Sequence, residues 1–223
     1  MFTNFSEFVP YLYQGLSITV QVFVVGALIA YSIAFIAGIG RTSQNAWIRT
    51  IATIFVELFR GTSLLVQMFF FAYALPLIVP ELSMSTFMAG ALALGLNYGA
   101  YASEVVRGAI HSISYGQTEA AISLNMSKWQ RMRLVILPQA VRVMLPGFGN
   151  NSIELLKGTS LVYFISLADM TFQANVLRGG NTALSSQVEI YTYLLFAYFL
   201  LALPLILLAR WLEKRSSKGV STS

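Results

Sequence analysis

The sequence predicts an all-α membrane protein of about five transmembrane helices with a short helical block on the cytoplasmic surface. Three observations carry this. Of the residues, 57% are hydrophobic and 10% charged, well outside the balance of a soluble domain. Residues 8–40, 61–80, 82–103 and 190–209 contain no Asp, Glu, Lys or Arg. Each run has the roughly 20 residues, at about 1.5 Å each, that cross a hydrocarbon core of ~30 Å. Residues 115–145 then interrupt the pattern, being polar, basic and helix-forming between apolar neighbours.

Span one is expected over residues 12–39, where Gly15, Gly26 and Gly38 let helices approach closely. Span two follows over 51–75 and is closed by Pro76 and Pro80, and span three runs over 86–107. Span four starts near Val141 and is loosened by Pro146, Gly147 and Gly149. Residues 162–187, with Asp169 and Arg178, are expected outside as short helices or loop. Span five covers 188–211. The membrane domain is thus residues 12–211, and residues 212–223 form a cytoplasmic tail.

Charge placement orients the chain. Arg41 and Arg49 follow span one; Arg107, Lys128, Arg131, Arg133 and Arg142 surround the block; Arg210, Lys214, Arg215 and Lys218 end the chain. By contrast, residues 1–11 carry only Glu7 and residues 75–85 only Glu81. Basic loops stay inside, so the N-terminus is expected outside and the C-terminus in the cytoplasm. The basic charge is therefore a topology signal rather than a nucleic-acid footprint. No positively charged region precedes the first apolar run, so a cleaved leader is not expected.

The block has its own punctuation. Ser114 with Gln117, and Ser127 with Gln130, fit capping boxes. Asn125 stands where a first short helix ends, and Asn tolerates the left-handed conformation of such a stop. Pro138 ends or kinks the next helix. Two short helices with a bend, lying along the membrane surface, are the expected form.

Within the block, Glu119-Ala120-Ala121 is followed after three residues by Asn125, and after nine more by Val135-x-Leu137-Pro138. This resembles, at full spacing, the signature of ABC importer permease subunits, with Asn125 for Gly and Val135 for Ile. Residues 59–67 (FRGTSLLVQ), 99–107 (GAYASEVVR) and 156–161 (LKGTSL) extend the likeness to the polar amino-acid uptake branch. The resemblance covers residues 12–210. Within that branch it is nearest the ectoine/hydroxyectoine permease subunit, through residues 124–127 (LNMS), 131–133 (RMR) and 154–159 (ELLKGT). Ordinary amino-acid permeases usually carry Gly at 125, Asp at 158 and Pro at 63.

The resemblance implies a type I importer fold and a coupling helix docked on an ATPase dimer. It also implies a second permease subunit, an extracytoplasmic solute-binding protein and surrounding lipid as partners, with no nucleic acid and no cofactor. It assigns coupling to Glu119, Ala120, Ala121, Asn125, Lys128 and Trp129. An amphipathic helix that only lies on lipid is the plain alternative for this block.

Charges inside a bilayer cost about 3 kcal/mol or more unless paired or wetted, and so mark a path or a structural pair. Asn150, Asn151, Glu154 and Lys157 fall at helical spacings. They are candidates for the solute path together with Asn97 and Tyr101, and with Tyr98, Gln67 and Tyr73 beside them. Glu154 and Lys157 could instead neutralise each other as an interface pair. Glu57 with Arg60, and Glu104 with Arg107, are expected as helix-end or snorkelling pairs. The chain has no cysteine, a single histidine (His111), no G-x-x-x-x-G-K-[ST] loop and no G-x-S-x-G motif. No catalytic and no metal site is therefore expected. Another amino acid or an opine as solute, or a secondary transporter acting alone, are the alternatives; a secondary transporter would usually show internal repeats.

Overall fold

The computed structural model describes residues 5–180 and 184–217. Lys218 and the end of the tail lie outside the described residues. Ten α-helices are described: α1 (Phe5–Arg41), α2 (Ala46–Gly61), α3 (Leu64–Phe69), α4 (Leu75–Ile78), α5 (Thr86–His111), α6 (Tyr115–Ser123), α7 (Lys128–Arg131), α8 (Leu137–Gly158), α9 (Met170–Gly180) and α10 (Leu184–Ser217). Among the described residues there is no strand.

The centre is α5 laid along α1. Small residues make this possible. A Cβ at Gly95 would stand 2.4 Å from Ile29, one at Gly99 2.9 Å from the Ala30 carbonyl, and one at Gly38 2.6 Å from Val106. These contacts advance together along both helices, so α1 and α5 run in the same sense. Phe8 packs on Tyr193 near the start of both helices, and Tyr31 and Phe35 share a groove with Leu205 and Leu208 further along, so α10 is parallel to α1 as well. Gly147 of α8 abuts Val105, while Asn151 reaches Tyr98, so α8 runs the other way. α1, α5 and α10 thus share one direction and α8 takes the opposite one.

Two helices are long and apolar enough to cross a membrane by themselves, at Phe8–Arg41 and Gln187–Arg215; a bent pair would make a third. α5 is buried along most of its length and carries Asn97, Tyr98, Tyr101 and Ser103. α8 carries Arg142, Glu154 and Lys157. These polar and charged side chains lower the apolarity of α5 and α8 below that of α1 and α10.

Several expectations need correction. Span two is not one continuous helix. It breaks at Thr62 and Ser63, where α2 and the segment Leu64–Ile78 meet at 102°. Pro146, Gly147 and Gly149 do not loosen span four, because α8 runs straight through them. The two glycines are packing sites instead; a Cβ at Gly149 would stand 2.6 Å from Ala209 Cβ. Pro138 does not end its helix either. A wider π turn over Met132–Ile136 precedes it, with Leu137 N–H donating to the Met132 carbonyl. That turn absorbs a proline, which lacks a donor and crowds the preceding carbonyl.

The segment after α8 is a 3-10 turn, Thr159–Ile165, ended by Ser166 at φ 61°. Asp169 then caps α9. It is completely buried, not a solvent-facing loop residue. Its Oδ1 accepts from Phe172 N–H at 2.9 Å and its Oδ2 from the Tyr198 hydroxyl at 3.0 Å. Burial pushes this carboxyl above the usual aspartate range, and the Phe172 and Thr171 amides and Tyr198 pull it part of the way back. Across from it, Thr19 Oγ1 accepts from Met170 N–H at 3.2 Å. Gly15 leaves room for this chain crossing, since a Cβ there would lie 2.5 Å from the Met170 nitrogen.

Candidate functional site

The polar block folds as two short helices joined by a tight stop. Met126 N–H donates to the Ala121 carbonyl and Asn125 N–H to that of Ile122, while Asn125 sits at φ 56°. This paired closure of a helix C-terminus is the Schellman arrangement. Ser127 and Gln130 form the reciprocal capping box that starts α7. The box expected at Ser114 is absent: its side chain makes no cap bond, and Gln117 Oε1 accepts instead from Gln139 Nε2 at 3.3 Å. Lys128 Nζ meets Gln44 Oε1. The block is thereby braced on both α8 and the α1–α2 turn.

Its outer surface has one character. Tyr115, Ile122, Leu124 and Trp129 are exposed by 53–76%, with Glu119, Ala120, Asn125 and Lys128 exposed among them. Ala121 alone of the coupling candidates faces inward, at 3% exposure. An apolar patch with a single acid, held on a rigid turn, is the form of a protein contact. Sequence reasoning missed Tyr115, Ile122 and Leu124. The signal was there: three large apolar side chains in a segment too polar to be a span.

The second region lies around the break in span two. A helix that ends inside a bilayer leaves carbonyls without partners. Here two buried amides answer them. Gln67 Nε2 donates to the Phe59 carbonyl at 2.9 Å and to Thr62 Oγ1 at 2.7 Å. Asn97 Nδ2 donates to the same Phe59 carbonyl at 2.9 Å and to Gln67 Oε1 at 3.3 Å. The structure therefore puts Gln67 and Asn97 to work holding the break. Beside it, the Arg60 guanidinium lies 5.3 Å from the Tyr101 ring centroid, and the Tyr101 hydroxyl donates to the Arg60 carbonyl at 3.3 Å.

On α8, Asn150, Glu154 and Lys157 are exposed on one face. No ion pair joins Glu154 to Lys157, and among the described residues neither side chain takes another ionic partner. Asn151 is turned inward at 6% exposure; its Nδ2 donates to the Tyr98 carbonyl at 3.4 Å. Tyr98 lies within electrostatic reach of both Glu154 and Tyr101. The Tyr98 ring therefore stands beside the end of α8, against Gly158, with Glu154 within electrostatic reach and Lys157 exposed one turn on. Tyr73 is half-exposed and stacks on Phe69.

The two helix-end pairs are one network. Glu104 Oε1 accepts from Arg41 Nη1 at 2.5 Å and from Arg60 Nη1 at 2.8 Å, and its Oε2 from Arg107 Nε at 2.9 Å. Glu57 approaches Arg41 at 3.7 Å and Arg60 at 3.9 Å. Three helices are tied at one carboxylate. His111 Nδ1 meets the Arg107 carbonyl at 2.8 Å. Among the described residues no group of His, Cys, Asp and Glu could hold a metal ion.

A family profile described as "Binding-protein-dependent transport system inner membrane component" matches residues 15–218. The chain belongs to this family. The permease is 40% identical over 214 residues to a probable amino-acid ABC transporter permease, y4tF, of Sinorhizobium fredii, covering 94% of this chain and 89% of that one. It is 36% identical to the glutamine transport permease GlnP of Escherichia coli, covering 93% of each. It is 34% identical to the glutamate/aspartate import permease GltK of the same species, covering 93% and 94%. Among solved structures it superimposes on an amino acid ABC transporter crystallised with histidines at a TM-score of 0.85 and 30% identity, covering 96% and 98% of the two chains. A MetNI methionine transporter chain, at 0.71 and 17% identity over 91% and 96%, shares the fold.

The permease is accordingly an inner-membrane ABC importer subunit of the amino-acid type with the type I fold. It is a transport subunit and not an enzyme, with ATP hydrolysis in a separate partner.

Proposed function

We propose that this permease carries a small zwitterionic solute, ectoine or hydroxyectoine, along a path that includes Tyr101, Asn150, Glu154 and Lys157. One observation carries the reading. Glu154 and Lys157 stand exposed on the same face of α8, one turn apart, without an ion pair between them. In lipid each would cost about 3 kcal/mol or more. The face therefore serves water, a solute of matching charges or a second permease subunit. A zwitterion supplies a carboxylate for Lys157 and a cationic centre for Glu154, and Tyr101 offers an aromatic face to that cation. Asn97 and Asn151 support this path from behind it.

The ectoine identity draws on the sequence likeness around Asn125 and Gly158. Five spans, an external N-terminus and a cytoplasmic C-terminus complete the proposed topology. The block bearing Glu119, Ala120, Ala121, Asn125, Lys128 and Trp129 docks on a cytoplasmic ATPase dimer. A second permease subunit completes the path, and a solute-binding protein delivers from outside.

The test is uptake of labelled ectoine by cells carrying the whole transporter, with proline, glutamine and arginine as competitors. Lys157→Ala is expected to lower uptake at least tenfold and Lys218→Ala to leave it unchanged. Equal effects of the two changes would remove the α8 face from the path. Labelled glutamine taken up while labelled ectoine is not, and glutamine uptake unaffected by excess ectoine, would remove the solute assignment.

A further inference from the structure

Gly158 closes α8 at φ −61° and ψ −24°, values that any residue adopts. Nothing in the backbone calls for glycine there, and alanine is the better helix former. The reason is lateral. A Cβ at 158 would stand 2.6 Å from the Tyr98 hydroxyl, 2.8 Å from its Cε2 and 3.0 Å from its Cζ. The phenol occupies the space that a side chain at 158 would need.

That ring is held from behind. It packs against the buried cluster of Val22, Met68, Leu94 and Val162, and Asn151 binds its carbonyl. Its hydroxyl end lies toward Glu154 and Tyr101. Among the described residues no hydrogen-bond partner meets this hydroxyl, so it is free to take one from outside the chain.

We propose that Tyr98, seated against Gly158, is the wall that sets which solutes this permease accepts. This rests on the reading of the Glu154 and Lys157 face as the solute position. The ring flanks Glu154, on the side of α8 that carries Asn151 and Gly158, and so bounds the solute position on that side, while the free hydroxyl offers one directional contact. A compact zwitterion with its cation close to its carboxylate fits. A solute with a long side chain meets the phenol. Gly158 is a specificity residue at one remove: its missing side chain lets Tyr98 stand where it does.

The test measures binding of labelled ectoine, glutamine and arginine to the purified permease–ATPase complex, so that the binding protein's own selectivity does not enter. Tyr98→Ala is expected to raise arginine affinity relative to ectoine at least tenfold. Tyr98→Leu, which keeps more of the core volume, shifts the ratio the same way and replaces it if the alanine variant fails to assemble. Gly158→Ala pushes the phenol into the site and weakens ectoine binding at least tenfold. In the Tyr98→Ala background the same change costs less than twofold, because the contact is gone.

Lys157→Gln and Glu154→Gln check the site itself. Suppose both weaken ectoine binding, yet the Tyr98 variants leave the ratio unchanged or Gly158→Ala is equally harmful in both backgrounds. The wall is then overturned and the site stands. If neither charge change alters binding of any of the three solutes, or none binds the parent complex, the site falls and the wall with it.

Discussion

Glu104→Gln tests the junction that joins α1, α2 and α5. Glu104 accepts from Arg41 at 2.5 Å, Arg60 at 2.8 Å and Arg107 at 2.9 Å. The side chains of Glu104, Arg41 and Arg60 are 23%, 10% and 33% exposed, while that of Arg107 is 41% exposed. The Arg107 pair is wet and contributes at most a few tenths of a kcal/mol. The other two are charge-assisted hydrogen bonds in a part-buried setting, each worth about 1.5–3 kcal/mol net. Glutamine keeps one acceptor but leaves three guanidinium groups without their shared counter-charge. The expected loss is about 3 kcal/mol.

For a chain of this size that is about 6–12 °C in Tm, read by heating the purified complex in detergent and following tryptophan fluorescence. The control is Glu57→Gln. Glu57 is 61% exposed and meets its arginines only at 3.7 and 3.9 Å, so the expected cost is below about 1 kcal/mol. A Glu104→Gln shift under about 2 °C, or equal shifts for both changes, refutes the reasoning that one carboxylate holds the three helices.

Three further outcomes are expected. Glu119→Lys abolishes uptake while the chain still inserts and assembles, since it reverses the acid on the exposed face; uptake at full rate shows that this acid does not dock the ATPase. Asn125→Gly keeps or slightly raises stability, whereas Asn125→Val costs roughly 1–2 kcal/mol because φ 56° puts Cβ against the next carbonyl; a thermal-shift series that ranks the two the other way excludes the left-handed stop. Burial raises the Asp169 carboxyl, so its stabilising contribution is complete below the ordinary aspartate range and is lost as pH rises through the elevated native value. Asp169→Asn keeps an acceptor for Phe172 N–H and is expected to flatten that part of the stability–pH curve; an unchanged slope contradicts the assignment.

Much of the fold was legible because the bilayer is a severe solvent. Uncharged runs announced the long apolar helices at Phe8–Arg41 and Gln187–Arg215. The stop at Asn125 was legible because only a few residue types tolerate φ above zero. The Ser127–Gln130 box was legible from spacing alone, yet the same spacing at Ser114 misled, because Gln117 found a partner in Gln139, 22 residues away. The break in span two was not legible. Residues 61–80 are free of charge, and Thr62 and Ser63 are no stronger as breakers than residues elsewhere in the spans. The break is tolerated because Gln67 and Asn97 satisfy the loose carbonyls, and Asn97 comes from another helix.

Residue order alone dictates that this chain is a helical membrane protein of the permease family, and where its short polar block turns at Asn125. Those properties follow from composition, charge placement and local backbone preference, each read within a few residues. Packing in three dimensions settles which polar residues face outward and which serve the interior. Glu154 and Lys157 are exposed while Asn151, on the same helix, is buried against Tyr98. Glu104 gathers arginines from three helices, and Tyr98 takes the room that Gly158 leaves. Such relations depend on side chains tens of residues apart sharing one volume, and helical spacing describes only one side of that volume.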